Sequence, residues 1–274
     1  PDNFTAFGSD GFTLGAGHQK YNDQDDTYVA WQWKANGGTT TSQTGADINS
    51  VTQADTTAGF SIVTYTGDGN TSQTVKHGLG GVPEAIIMKN RERASQWESY
   101  FAPVGNSYIM ELSTNGAKQD TDNFGNTDPT STVFTVDSGA NNANASGEDI
   151  VAYCFRSIQG YSKIGGYTGN GSTDGTFVYT GFKPAWIMAK RTDTAKNWYI
   201  FNTKFSPFNV LGTTITANNS DAQSSENSGT YVDFLSNGFK WRQDFSHANA
   251  SGGEHVYMAF AEHPFVSSEG VPTT

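Results

Sequence analysis

Short apolar clusters along this chain are separated by longer stretches of Thr, Ser, Asn, Asp and Gly. Within the clusters, apolar and polar positions alternate at period two, the signature of a half-buried strand. The triplets Val29/Trp31/Trp33, Val151/Tyr153/Phe155 and Val256/Met258/Phe260 each line one face of a closing strand. No long run shows the 3.6-residue period of a helix. The pattern predicts strands at Phe60–Tyr65, Ala85–Lys89, Glu98–Phe101, Tyr108–Leu112, Val133–Val136 and Ile150–Arg156, with a further one at Tyr28–Trp33. Turn chemistry falls between them, at Thr66-Gly67-Asp68-Gly69, Gly80-Gly81-Val82-Pro83 and Asn115-Gly116, where Gly and Asn accept positive φ.

The chain also repeats itself. Gly59–Gly69 returns as Gly160–Gly171 with one inserted residue, and Pro83–Lys89 answers Pro184–Lys190. Ala143-Asn144-Ala145-Ser146-Gly147 recurs letter for letter at Ala248–Gly252, and Phe134, Val151 and Phe155 map onto Phe239, Val256 and Phe260 at one constant spacing. Phe12, Val29 and Trp33 match the same three positions, so the chain opens on a third copy of the second half of the unit. The organisation expected is therefore residues 1–38 as the C-terminal half of a truncated upstream repeat, 39–58 as a linker or lead-in strand, 59–159 and 160–266 as two full repeats, and 267–274 as a tail. Half a β-unit leaves strand edges and an apolar face uncovered. Residues 1–34 are accordingly expected to pair with strands outside their own segment, and the chain to begin inside a longer polypeptide. Units of this size and strand spacing predict an all-β fold of tandem antiparallel β-sandwich, jelly-roll-like repeats.

Composition narrows the function. Gly contributes 31 residues and charged residues only 16% of the 274. The net charge is −11 and the pI near 4.7, which disfavours phosphate backbones and anionic membranes, so neither nucleic-acid binding nor membrane insertion is expected. Cys154 stands alone and can form no intrachain disulfide; between Tyr153 and Phe155 it reads as a small buried hydrophobe.

No catalytic constellation emerges. Glycan hydrolysis needs two carboxylates in different protonation states, but Glu92, Glu98 and Glu111 of the first unit form no set that the second keeps, Tyr199 standing for Glu98. Histidines 18, 77, 247, 255 and 263 lack metal-ligand spacing and read as hydrogen-bonded surface residues. Asp23–Asp26 reads as a turn ahead of Tyr28 rather than a calcium loop. No enzyme activity, metal or cofactor is expected.

The strings AGFSIVTYTGDG, HGLGGVPEAIIMKNR, YVAWQWKANGG, VAYCF and VYTGFKPAWIMAKR resemble a repeat found in tail-fibre and other virion-associated proteins of tailed bacteriophages, those of marine bacteria in particular. The resemblance runs from Ser9 to Phe265. It implies a structural protein of the phage particle, a tail-fibre segment that attaches to host-surface glycan, working beside other virion proteins as a homo-oligomer, most simply a trimer. A depolymerising tailspike and a capsid decoration protein are the alternatives. No catalytic residue transfers with it.

Residues for glycan or partner contact are then sought among aromatics and variable loops. Trp97 and Trp198 occupy equivalent positions, whereas Trp186 stands where the first unit has Ala85, so the repeat itself does not require it. Tyr257 interrupts the Val256/Met258 alternation and is expected to need cover. Arg91 and Arg93 lie in a loop that differs between units, as do Gly116–Asp128 and Ala217–Gly229, and loops on a rigid scaffold are where binding concentrates.

Overall fold

The computed structural model describes residues 4–8, 11–15, 21–138, 142–224 and 231–261. It divides into two compact units, Pro1–Trp33 and Lys34–Thr274. All described regular structure is β, and among the described residues no helix is long and apolar enough to cross a membrane.

In the first unit, β1 (Phe4–Phe7) and β2 (Phe12–Leu14) form an antiparallel hairpin with Phe7 opposite Phe12. The expected strand at Tyr28–Trp33 is absent: the stretch carries no strand pairing, and Tyr28 and Val29 are exposed. A closing strand in this fold is hydrogen-bonded on both sides, and the described residues of this unit supply neither flank. In the described part of residues 1–34, the strand pairing present is that of β1 with β2.

The second unit begins with β3 (Thr41–Gln43) and β4 (Ser50–Asp55). The first full repeat continues through β5 (Phe60–Thr66), β6 (Gln73–Lys76), β7 (Ala85–Asn90), β8 (Glu98–Phe101), β9 (Tyr108–Glu111), β10 (Gln119–Asp120), β11 (Val133–Val136) and β12 (Asp149–Phe155). Eight strands make one antiparallel sheet, ordered β10-β9-β8-β7-β12-β5-β4-β3, and β11 pairs with β6 as a second layer. Residues 39–58 are thus lead-in strands rather than a linker: β3 and β4 pair with each other and β4 pairs with β5 from Ser50 opposite Tyr65 to Asp55 opposite Phe60. Polar side chains on both strands hid the hairpin, because hydroxyls rather than aliphatics fill its inward positions, Ser50 and Thr52 being buried.

The second repeat contains β13 (Ser162–Thr168), β14 (Phe177–Tyr179), β15 (Pro184–Arg191), β16 (Tyr199–Asn202), β17 (Ile215–Thr216), β18 (Val232–Leu235), β19 (Gly238–Trp241) and β20 (Glu254–Ala261). Its large sheet, β13-β20-β15-β16-β17, keeps the order of β5-β12-β7-β8, and β14-β19-β18 forms the covering layer. Each closing strand runs between the first and third strands of its repeat, antiparallel to both. Each repeat is a sandwich of a large and a small sheet.

The letter-for-letter repeats form a clamp. Tyr65 donates to Ala143 O at 2.6 Å and Tyr167 to Ala248 O at 2.7 Å. Asn144 Oδ1 accepts from Asp68 N at 3.0 Å, and Asn249 Oδ1 from Asn170 N at 3.1 Å. Their amide groups donate onward to Asn70 O and Ser172 O. A Cβ on Gly67 or Gly169 would sit 2.4 or 2.3 Å from Ala145 O or Ala250 O, so only glycine lets the two loops close. Phe134 and Phe239 lie beneath, each edge-on to its tyrosine and fully buried.

Both faces of each large sheet are buried over its central strands. On the inner face Val63, Tyr65, Ile86, Met88, Ile150, Ala152 and Cys154 pack against Val75, Phe134 and Val136 of the small sheet. The other face of the first repeat presents Phe60, Ala85, Ile87, Phe101 and Phe155, and that of the second Ile164, Trp186, Met188, Trp198, Ile200, Val256, Met258 and Phe260, all buried. Contacts join these faces directly. Phe155 meets Phe260 edge-on at 6.4 Å and Phe101 lies 5.6 Å from Trp198. Trp198 Nε1 donates to Glu111 O at 2.9 Å, and Lys118 N donates to Thr192 O at 2.8 Å. The two sandwiches therefore stand back to back, with the equivalent Phe155 and Phe260 in contact at the joint.

Phe155→Ala and Phe260→Ala should each destabilise the protein by about 3–5 kcal/mol. Because the rings touch, the double mutant should cost less than the two singles together, and additivity in a denaturant-melt cycle would show that the joint is not shared. Asn249→Ala, which strips several backbone partners at once, should cost about 1–3 kcal/mol in the same assay.

Candidate functional site

The lead-in hairpin makes the first sheet wider than the face its neighbour covers. On the outward side of this extra width lies a groove of about 410 Å³, lined by Gln43, Asn49, Val51, Thr64, Arg91 and Asp149 among others. The strand register fixes its floor, since Val51 pairs with Thr64 and Thr66 with Asp149, and residues directly opposed across antiparallel strands share a face. Thr66 Oγ1 donates to Asp149 Oδ1 at 2.9 Å, while Arg91 stands 3.9 Å from Asp149 Oδ2. Both charged side chains are about half exposed, at 56% and 50%. A pair held this loosely contributes roughly 0–1 kcal/mol and can redirect its hydrogen bonds at little cost. Guanidinium, carboxylate, amide and hydroxyl groups on a rigid sheet offer paired donors and acceptors, with Val51 supplying an apolar spot.

The second repeat carries a cavity of about 440 Å³ at the equivalent place, walled in part by Pro103 and Lys118 of the first repeat. There Glu254 and Thr192 stand where Asp149 and Arg91 stand in the first, and both are engaged by Lys118, whose Nζ bonds Glu254 at 2.8 Å.

Of the residues singled out in the sequence, only Arg91 lines this groove. Arg93 is committed elsewhere: its guanidinium grips both oxygens of Glu148, which also accepts from Asn90 Nδ2. Trp97 is half-buried and stacks on Tyr153 at 6.2 Å, continuing a row of rings through Phe60 and Phe155 to Phe260 and Trp186. Trp186 and Trp198 are 9% and 1% exposed, so neither can stack on a sugar. They belong to the joint, where two facing repeats must be complementary rather than identical. That is why Trp186 has Ala85 as its counterpart. Tyr257 is 3% exposed and points into its own repeat's core, its hydroxyl filling the space a Cβ on Gly165 would take. The alternation around it is real. It is Val256, Met258 and Phe260 that face the other repeat.

The variable loop Gly116–Asp128 is also less free than its polarity suggested. Phe124 is fully buried in the first core and Lys118 is tied across the joint. Of Ala217–Gly229, the described part includes Asn218, whose side chain accepts from Trp198 N at 2.8 Å; residues 225–230 lie outside the described residues, as do His18, His263 and the 267–274 tail.

The chemically notable buried groups sit in the cores. Glu98 is 4% exposed, and its two oxygens accept from Asn142 at 2.7 Å and Asn123 at 3.0 Å. Burial raises its pKa against these hydrogen bonds. Glu111 lies directly opposite on β9, and Tyr199 takes Glu98's place in the second repeat. Cys154 is fully buried, its thiol pushed up to about 12 by burial. Among the described residues no group of three or more metal-ligating side chains comes together.

Two histidines expected on the surface are buried instead. His77 accepts from Leu79 N at Nδ1 and reaches Thr130 O through Nε2. His255, 2% exposed, stacks flat on Tyr167 at 4.7 Å. Sequence spacing gave no sign of this, but the repeat did: Ile150 is the core residue at His255's position in the first unit.

The profile of a family described as a domain of unknown function, DUF7483, matches residues 1–264. The chain belongs to this family. Its profile spans both repeats and the preceding hairpin together, consistent with the shared joint. Neither a curated protein nor a solved structure matches the chain.

The buried imidazole has a measurable consequence. Burial, with Arg191 and Lys190 nearby, lowers the His255 pKa to about 4, against opposing contributions from the Gly253 backbone and Asp193. A base that stays neutral in the fold but titrates near 6.5 when unfolded leaves stability intact above pH 6.5. Stability falls as the pH drops toward 4, by up to about 3 kcal/mol from this group. His255→Ile, copying the first repeat, should fold and should lose part of that acid sensitivity in melts between pH 7 and 4; His247, also held near 4, retains its own share. An unchanged pH profile would show that His255 is protonated without cost.

Proposed function

We propose that this chain is a structural and attachment module of a tailed-phage particle, a tail-fibre segment that recognises host-surface glycan through the Arg91–Asp149 groove. The observation that carries this reading is the groove itself. Arg93, the other charged contact candidate, is consumed by Glu148, whereas Arg91 and Asp149 remain half exposed, loosely paired and surrounded by hydroxyls and amides. A polyhydroxylated ligand is bound by such groups, because adjacent hydroxyls can donate to the carboxylate and accept from the guanidinium together. The resemblance of the repeat strings to virion-associated proteins supports the setting, and an acidic pI argues for a partner other than nucleic acid. Back-to-back sandwiches give a rigid base for such a groove.

Asp149→Ala and Arg91→Ala should each weaken binding to host-surface polysaccharide at least about tenfold, roughly 1.4 kcal/mol, with melting temperatures close to the parent's. Arg93→Ala, which breaks an internal pair, should leave the affinity alone. Undiminished binding by Asp149→Ala would remove the groove from consideration, and immunogold labelling of the particle away from its tail would remove the fibre assignment.

A further inference from the structure

The lead-in hairpin covers an edge in the first repeat that its absence leaves open in the second. In the first repeat, the segment between β3 and β4 lies along β6. Ile48 bridges Val75 in parallel and donates to Thr74 O at 3.0 Å. Asp47 accepts from Thr74 N and Oγ1 at 3.0 and 2.6 Å, and Lys76 Nζ donates to Thr44 O at 2.6 Å. Behind this contact, a Cβ placed on Gly78 would be 2.9 Å from Thr52 of β4.

β14 is the matching strand, since Val178 lies opposite Phe239 as Val75 lies opposite Phe134. It is the edge of its sheet. Gly181, equivalent to Gly78, has only the Tyr179 ring within reach, and a cavity of about 350 Å³ opens beside it between Ser157, Lys163, Tyr179 and Thr180.

The side chains change in the opposite sense to their exposure. Thr74 and Lys76, covered by the hairpin, become Phe177 and Tyr179, which are 43% and 66% exposed. Phe177 partly shields Gly238, which explains some of that ring. Nothing in the repeat explains Tyr179. Aromatic rings introduced where cover has been removed mark a surface that is covered in use. The edge of β13 is less available, because Ser162 pairs with Ile158 and the Ile164 amide donates to Ser157 Oγ. An incoming chain would lie along β14 rather than widen the large sheet.

We propose that the β14 edge, with Phe177, Tyr179 and the adjoining cavity, receives an extended segment of another polypeptide in the position that residues 44–50 fill in the first repeat. Backbone pairing supplies the seat, as in strand addition to an exposed edge. Ring faces replace the groups that held Asp47, so the donated segment carries an aliphatic or aromatic residue at that point rather than an acid. This inference stands independently of the glycan groove.

The probes are two synthetic peptides spanning residues 40–55, one native and one with Asp47→Leu, added to the full chain. The Leu peptide should slow amide hydrogen exchange at 177–181 and bind roughly tenfold more tightly than the native peptide. In a chain carrying Phe177→Thr and Tyr179→Lys, the first repeat's residues, the preference should reverse. No protection at 177–181, or a preference unchanged by the swap, overturns the proposal. So does protection of the same amides that grows with protein concentration alone, which would assign the edge to a second copy, or protection conferred only by a saccharide.

Discussion

The joint between the two large sheets is the constraint from which the rest of this molecule follows. A sandwich needs only one buried face on each sheet, yet here the outward faces are apolar as well, and each is covered by the other repeat. That removes Trp186 and Trp198 from the surface. It also ties the Gly116–Asp128 segment down through Lys118. A repeat excised alone would expose a strip of Phe, Trp, Met and Ile, which is a liability for any isolated β-sandwich. The pair is therefore the folding unit, although the sequence repeats at half that length.

Duplication and divergence act on different layers. What is kept letter for letter is the clamp: tyrosine hydroxyl to alanine carbonyl, asparagine side chain to loop backbone, glycine pressed against a carbonyl. Few other residues satisfy those positions, because hydrogen-bond geometry and the missing Cβ are both required. What diverges lies at the joint and at the hairpin. At the joint Trp186 stands where the first repeat has Ala85, and where β3 and β4 have no counterpart the second repeat exchanges threonine and lysine for aromatic rings. The missing hairpin thus leaves the second repeat a bare edge where the first is covered.

Much of this architecture was legible in the residues. Period-two alternation placed Glu98–Phe101 and Val133–Val136 to the residue and most other predicted strands within one or two positions. Strands β4 and β6 escaped, since Ser50, Thr52 and Thr74 look like loop residues until backbone pairing and buried hydroxyl bonds are seen. Tyr28–Trp33 failed for the converse reason: it has the alternation of a strand but no flanking strands among the described residues of its unit.

The sequence by itself determined the repeat, the β class, the alternating faces and the glycine positions, because local sterics and the two-residue period act on neighbours along the chain. Only the tertiary structure decided which alternating face meets which core. Alternation says that two faces exist but carries no information about what lies against each, and a strand buried on both sides reads much like one buried on a single side. Tyr257 therefore signalled a need for cover without showing its source, while Trp186 and Trp198, candidates for glycan or partner contact, carried no sign that the other repeat buries them. Arg91 was picked out for its loop, while its partner Asp149, brought to it by the pairing of β12 with β7, sits 58 positions away in the chain and gave no sign of the groove they share.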